Sequence, residues 1–130
     1  MRVKSWLCVV LGVFSSGARA EWTLVERSGD LASYADLSSI QRNASLADLW
    51  VLFDNIDDTA GLTSSRSLSS TSRIECDCAA RRYRYLLSSW HSDRMGGGTL
   101  NYTLDQVGRW QPVPRESLID TLWQRACRQP

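Results

Sequence analysis

The chain has 130 residues, of which 43% are hydrophobic and 22% are charged, so it can build one domain with its own core and is too apolar for a disordered protein. Its 15 basic and 14 acidic residues give a formal net charge of +1. This balance argues against a dedicated nucleic-acid-binding protein, which would be markedly basic.

Residues 1–20 have the three parts of a cleavable secretory signal peptide. Arg2 and Lys4 make its start positive, residues 6–14 form an apolar run, and Ala-Arg-Ala at residues 18–20 is a small-x-small cleavage site. A membrane-spanning helix would need about 20 apolar residues, so this run predicts export without a transmembrane segment. Cleavage leaves a domain over residues 21–130, removes three basic residues and no acidic ones, and changes the formal net charge from +1 to −2.

The first part of the mature chain alternates apolar and polar residues in short segments, as strands do. Such segments predict strands at residues 21–27, 31–37 and 38–42. Residues 46–56 are the most apolar mature segment and predict a central strand that is covered on both faces. The acidic residues at 54–61 lack the ligand spacing of a calcium loop, so they predict a solvated turn.

The next part of the chain is richer in serine, arginine and glycine. Residues 63–72 predict a loop that runs into an edge strand, and residues 73–90 form the longest strand-like stretch. The glycine-rich residues 95–98 predict a mobile turn, and residues 101–109 a loop. Trp110 is predicted to be a buried anchor.

The last element is predicted to be a helix. Ser117 and Asp120 have the spacing of a helix-capping box, with a hydroxyl residue three positions before a carboxylate. Apolar residues then recur at helical spacing and mark one face, namely Leu118, Ile119, Leu122, Trp123 and Ala126.

Three cysteines remain after the signal peptide, namely Cys76, Cys78 and Cys127. Exported proteins meet oxidising conditions, so a disulfide is expected, and an odd number leaves one thiol over. Cys76 and Cys78 are two positions apart, share one face of a strand and are poorly placed to bond each other. Either of them could pair with Cys127. A zinc site is not expected, because the chain has a single histidine.

The sequence carries no motif for catalysis. His91 is the only histidine, and no nucleophile-elbow or phosphate-loop spacing is present. A small hydrolase that uses Cys76 or His91 is the alternative, and no motif supports it. We therefore predict that the protein is not an enzyme and needs no cofactor.

One cluster of residues suggests binding. Arg73, Arg81, Arg82 and Arg84 cluster in the longest strand-like stretch and are interleaved with Tyr83 and Tyr85. Arginine beside aromatic rings can hold carboxylate, sulfate or phosphate groups through bidentate hydrogen bonds. The alternative is an ordinary solvated face. In that case the arginine charges would be balanced by acidic residues nearby, namely Glu75, Asp77 and Asp93.

Several short motifs lie in a defined order along the mature chain. They are Trp50-Val51-Leu52-x-Asp54, Ser67, Asp77-Cys78-Ala79-x-Arg81-x-Tyr83-Arg84, Met95-Gly96-x-Gly98, Trp110-x-x-Val113-Pro114 and Cys127. Together these motifs resemble the surface-adhesin protein E family, whose members are exported proteins of Gram-negative bacteria. The resemblance spans Trp22 to Cys127.

The resemblance implies a homodimer built on an antiparallel sheet with a C-terminal helix, located in the periplasm or on the outer-membrane surface. It also implies that Cys78 pairs with Cys127, which leaves Cys76 as a free or intermolecular thiol. Tyr83 and the arginines match the family pattern as well, so the resemblance supports a role in the fold at least as much as one in ligand binding.

We therefore predict an α+β domain, in which a twisted antiparallel sheet of about five or six strands packs against one C-terminal helix and a single disulfide pins the two. The expected function is that of an adhesin-like, non-catalytic envelope or surface protein. It would bind a host extracellular-matrix or serum protein, or a sulfated glycan. A periplasmic accessory or structural protein that never meets a host is the alternative.

Overall fold

The computed structural model describes residues 20–56 and 67–128. The predicted signal peptide, except for Ala20, and most of the predicted acidic turn lie outside these residues. The described elements are, in chain order, β1 (Trp22–Ser28), β2 (Leu31–Asn43), β3 (Leu46–Asn55), β4 (Ser69–Asp77), β5 (Arg82–His91), β6 (Leu100–Leu104), β7 (Gln111–Pro112) and α1 (Leu118–Cys127).

Strands β1 to β6 lie side by side in chain order in one antiparallel sheet. The two-residue strand β7 pairs with the start of β5, where Pro112 lies opposite Arg82. Helix α1 packs on one face of this sheet. The predicted α+β architecture is confirmed, and β7 is a short addition to the predicted five or six strands.

The alternation of β3 divides the sheet into two faces. Ala47, Leu49 and Val51 on this strand are fully buried and point towards α1. The core on this side is small and apolar. Its buried members are Ala35, Ala47, Leu49, Val51, Ile74, Cys76, Leu122 and Ala126. We call the opposite face of the sheet the open face. The strand register places on it Asp36, Asp48, Trp50, Arg73, Glu75, Arg82 and Arg84.

The helix is fixed to the sheet at both of its ends. At its start, Ser117 is the N-cap and its side chain accepts a hydrogen bond from the backbone N–H of Asp120 at 3.1 Å. In a capping box, the Asp120 carboxylate would accept from the backbone N–H of Ser117. Here it accepts from the backbone N–H of Glu116, so only the Ser117 half of the predicted box is formed. At its end, a disulfide joins Cys127 to Cys78, which confirms the pairing that the resemblance implied.

One sequence-based boundary was wrong in the first half of the sheet. Residues 31–37 and 38–42 belong to one strand, β2, because the chain bulges between Asp36 and Gln41 without leaving the sheet. The Asp36 carboxylate accepts from the Ser38 backbone N–H at 3.1 Å inside this bulge. A local turn-like hydrogen bond therefore interrupts the alternation but not the strand.

Three further differences occur in the second half. Strand β4 is internal, because its charged side chains face partners on β3 and β5 and not solvent at an edge. Residues 73–90 are two strands, separated by a turn at residues 78–81. Part of the predicted loop at 101–109 forms the edge strand β6, and Trp110 is half-buried.

Among the described residues, no helix has the length and apolar character that crossing a membrane requires.

Candidate functional site

Two of the predicted binding arginines meet on the open face. Arg82 and Arg84 lie two positions apart on β5, so they project from the same face. Both guanidinium groups stack on the Trp110 ring, at 4.6 Å and 4.2 Å from its centroid. Cation–π contacts of this kind orient the guanidinium groups as well as stabilise them.

Carboxylates of β4 hold the same two arginines from the side. Arg82 Nε donates to Asp77 Oδ2 at 2.9 Å, and Arg84 donates to Glu75 Oε1 from Nη2 at 2.7 Å and from Nε at 2.8 Å. The hydrogen bond from Arg82, together with two backbone N–H groups of the turn, lowers the pKa of Asp77. Each arginine is thus held between a ring and a carboxylate.

A third ion pair extends this row across the open face. Arg73 donates to both oxygens of Asp48, from Nε at 3.2 Å and from Nη2 at 2.9 Å. This bidentate contact raises the pKa of Arg73. We call the row the arginine surface. It consists of Arg73, Arg82, Arg84, Trp110 and the three carboxylates of Asp48, Glu75 and Asp77.

The arginine surface is accessible but balanced in charge. The side chains of Arg82 and Arg84 keep 46% and 28% of their surface exposed, whereas their carboxylate partners are more buried. Arg82 uses Nε in its ion pair, and its terminal nitrogens make no hydrogen bond within the described part of the chain. Three arginines face three carboxylates, so the surface offers oriented donors with no excess of positive charge.

The other two predicted binding residues lie on the helix side of the sheet. Arg81, in the turn before β5, donates from Nη2 to Asp120 Oδ1 at 2.8 Å and stacks on Trp123 at 4.9 Å. Tyr83 packs edge-on against Tyr85 with ring centroids 6.0 Å apart. Arg81 thus joins the turn to the helix, and Tyr83 packs against the core, so both have contacts within the fold.

Asp93, predicted to balance the arginines, takes no part in the arginine surface. Its carbonyl oxygen accepts a hydrogen bond from the Ser69 hydroxyl at 2.6 Å, in the connection after β5. Asp48 and Trp110 were the members that sequence reasoning did not assign to this site. Both come from segments distant in sequence: the register of β3 and β4 brings Asp48 beside the arginines, and Trp110 directly precedes β7, which pairs with the start of β5.

The two residues considered for catalysis have different surroundings and lie on opposite faces of the sheet. Cys76 is 1% exposed in the core under the helix, and burial raises the pKa of its thiol to about 12. His91 Nε2 lies 3.0 Å from the Thr71 hydroxyl on the opposite face. In the part of the chain that the structure describes, no three His, Cys, Asp or Glu side chains are grouped so as to hold a metal ion.

Comparisons with protein families and with solved structures show what the chain is similar to. The sequence profile of the surface-adhesin protein E family matches residues 22–128. In structure, the chain is similar to Haemophilus influenzae protein E in crystal form II, with a TM-score of 0.65 at 13% identity, covering 84% of this chain and 88% of that one. The selenomethionine form gives a TM-score of 0.62 at 11% identity, with coverage of 84% and 87%. Protein E from non-typeable Haemophilus influenzae gives 0.56 at 10% identity, with coverage of 84% and 76%. At these identities the likeness is one of fold. No curated protein matches the chain in sequence.

Proposed function

Since the chain belongs to the surface-adhesin protein E family, we propose that it is an exported adhesin that binds an extracellular protein of a host through the arginine surface. The observation that carries the proposal is the family match over residues 22–128, which includes every element of the fold. The arginine surface supports the position of the site. Tryptophan and arginine are the residue types that dominate the energetics of protein interfaces.

The charge balance of the arginine surface favours a protein partner over a sulfated glycan. A sulfated polymer is attracted by an excess of positive charge, and three arginines matched by three carboxylates do not provide one. A protein surface of mixed charge can instead pair with both signs at once. The mature chain, with its predicted net charge of −2, has no general attraction for polyanions either.

Binding to immobilised extracellular-matrix proteins, serum proteins and heparin tests this proposal. We expect the protein to bind at least one protein of the panel and not heparin. An Arg82→Lys/Arg84→Lys variant keeps both charges but loses the planar fork and its stacking on Trp110, so we expect its affinity to fall about tenfold or more.

A matched control replaces two exposed arginines outside the arginine surface, Arg27 on β1 and Arg125 on α1, with lysine. This control should bind as the unmodified protein does. Absence of binding to every protein of the panel contradicts the adhesin function. Equal binding by the Arg82/Arg84 variant and the control contradicts the proposed site.

The location of the protein separates an adhesin from a periplasmic accessory protein. We propose that it reaches the cell surface, where a protease added to intact cells would degrade it. A periplasmic accessory protein would be protected until the outer membrane is opened. A known periplasmic protein, probed in the same cells, controls for leakage. Protection of the protein in intact cells would leave the accessory function in place of the adhesin.

A homodimer is part of the proposal as well. Edge strand β6 exposes apolar side chains on one face, with Leu100 56% and Tyr102 58% exposed. Exposed apolar side chains on an edge strand suit association with a second copy. Light scattering during gel filtration should give twice the chain mass, and a Leu100→Ser/Tyr102→Ser variant should give the monomer mass. A monomer at every concentration contradicts the dimer.

A further inference from the structure

A second feature of the open face borders the arginine surface, since Trp50 pairs in register with Arg73. Trp22 on β1 pairs in register with Asp36 on β2, and Asp36 pairs in register with Trp50 on β3. The three side chains therefore form one row across three strands, with the carboxylate between two indole rings. Neighbouring strands are about 4.8 Å apart, which places the tryptophans about 10 Å apart at the backbone.

A groove of about 460 Å³ opens over this row. Besides Trp22, Asp36 and Trp50, it is lined by Ser38, Ser39 and Thr71, and also by Ala20, the last residue of the predicted signal peptide. Two aromatic residues and a carboxylate thus line one groove, which is a combination that favours an organic cation.

The Asp36 carboxylate has no cationic partner within the described residues. It is only 6% exposed, and its Oδ1 accepts from the backbone and hydroxyl of Ser38. The carboxylates that form ion pairs elsewhere in the described structure each have an arginine, namely Asp48, Asp54, Glu75, Asp77 and Asp120. A nearly buried carboxylate without a counter-charge is costly, and a bound cation would compensate it.

The two indole rings are free for the same purpose. Arginines of this chain occupy the ring faces of Trp110 and Trp123 at 4.2–4.9 Å. In the described ranges, no arginine stacks on Trp22 or Trp50. Within the described residues, arginines thus stack on Trp110 and Trp123, and none stacks on the two tryptophans that flank Asp36.

The polar groups of the groove select the kind of cation. The Ser38 hydroxyl donates its hydrogen to Asp36, and the Ser39 hydroxyl donates to the Asp36 carbonyl at 2.6 Å. The Ser39 oxygen also accepts from the Trp50 backbone N–H at 2.9 Å, which leaves it one lone pair. The remaining lone pairs of the two serines and the Asp36 carboxylate supply the acceptors of the groove. Arg73 on β4, which pairs in register with Trp50, is neutralised by Asp48. The groove therefore suits a positive group with several N–H donors and disfavours anions.

We propose that this groove binds the primary ammonium group of a lysine side chain on a partner protein. The ammonium would lie above Asp36 between Trp22 and Trp50 and donate its hydrogens to the carboxylate and the serine oxygens. Only the origin of the lysine rests on the proposed adhesin function; the selectivity of the groove does not.

Titration with small probes tests the groove without any host protein. The purified protein is followed by NMR through the indole N–H signals of Trp22 and Trp50, while Nα-acetyl-lysine N-methylamide is added. We expect saturable shifts of these two signals. The uncharged isostere Nα-acetyl-norleucine N-methylamide should cause none, and choline, which has no N–H donors, should bind at least about tenfold more weakly.

Two variants locate the site. Asp36→Asn keeps an acceptor for Ser38 but removes the charge, so we expect the lysine probe to bind about tenfold more weakly or worse. Trp22→Leu, at the edge strand, should weaken it too. Asp105→Asn, which removes an exposed carboxylate after β6, is the matched control and should bind as the unmodified protein does.

Four results would overturn the proposal, namely no saturable shifts, equal binding of the norleucine probe, tighter binding of choline, or undiminished binding by a folded Asp36→Asn variant. The adhesin function fails independently of these results, since it is judged by binding to host proteins. Saturable lysine binding without any host partner would retain the groove and reject the adhesin.

Discussion

The guanidinium of Arg94 closes over the fully buried carboxylate of Asp54. Arg94 Nε and Nη2 donate to Asp54 Oδ2 at 3.1 Å and 3.0 Å, and the Met95 backbone N–H donates to Oδ1 at 2.8 Å. These contacts hold the connection between β5 and β6 against the end of β3. The segment predicted to be a mobile turn is thereby attached to the sheet.

Removing Arg94 should destabilise the fold more than removing Arg73. Arg94→Ala leaves a buried charge unpaired, and we expect the free energy of unfolding to fall by about 3 kcal/mol at neutral pH. Arg73→Ala breaks the more exposed pair with Asp48, and we expect a loss of about 1 kcal/mol or less. Urea denaturation of both variants measures the difference. Equal losses of unfolding free energy in the two variants would contradict the claim that the burial of Asp54 makes its ion pair the more important one.

The helix contact of Asp120 should make the stability depend on acid pH. Hydrogen bonds from Arg81, from Gln124 and from the Glu116 backbone lower the pKa of Asp120 to about 2 in the folded protein, against about 4 when unfolded. The charged form therefore stabilises the fold fully above about pH 4, and this stabilisation is lost as the pH falls towards 2. Thermal unfolding midpoints should drop over that range.

An Asp120→Asn variant isolates this contribution. It lacks the charged contact at every pH, so its unfolding midpoint should be lower at neutral pH and should fall less steeply between pH 4 and 2. Asp77, whose pKa is also lowered, contributes a similar slope in both proteins. Parallel curves for the two proteins would show that the Arg81 contact does not contribute.

The disulfide should supply much of the stability of this small domain. Cys78 and Cys127 are 49 residues apart, and a loop of that length corresponds to about 4 kcal/mol in the chain-entropy description of cross-links. A Cys78→Ala/Cys127→Ala variant should lose that amount in urea denaturation. Reduction of the unmodified protein should have a similar effect, and a loss below about 1 kcal/mol would contradict the prediction.

Cys76 should be inert in the folded protein. Burial raises the pKa of its thiol to about 12, so little thiolate exists at pH 8, and the side chain is 1% exposed. A chain that starts at residue 21 should give no reaction with an aromatic disulfide reagent when folded and one thiol per chain in urea without reductant. Rapid reaction of the folded protein would contradict the buried position. A disulfide between two copies through Cys76 would require the core to open.

The fold could be predicted from the sequence where the pattern within a single strand or helix decides which side chains face the core. The alternation in β3 and the spacing of Leu118, Leu122 and Ala126 in α1 each report which side chains face the core. The prediction was poorer where contacts with neighbouring strands decide the position of an element. Strand β4 carries Arg73 and Glu75 because Asp48 and Arg84 pair with them across strands, and the same charges in isolation indicate an edge. Strand order and register are absent from a local pattern.

The candidate site was predicted in part for the same reason. The interval of two between Arg82 and Arg84 is enough to place them on one face, but Arg81 belongs to the turn and reaches the helix. Trp110 joins them from a loop after β6, and no periodicity connects it to β5. The row of Trp22, Asp36 and Trp50 was not foreseen, because three strands must be aligned before it exists.

The bond between Cys78 and Cys127 has a mechanical consequence when the chain is pulled from its ends. A load applied to the two ends of the chain can straighten the strands before Cys78 but cannot extend the 49-residue interval that the bond closes. That interval contains Arg82, Arg84 and Trp110, and it withholds about 160–180 Å of contour length. Single-molecule stretching should therefore show a shorter final extension by that amount than the reduced protein shows. Under tension, the covalent link keeps β5, the segment bearing Trp110 and the helix in one closed loop.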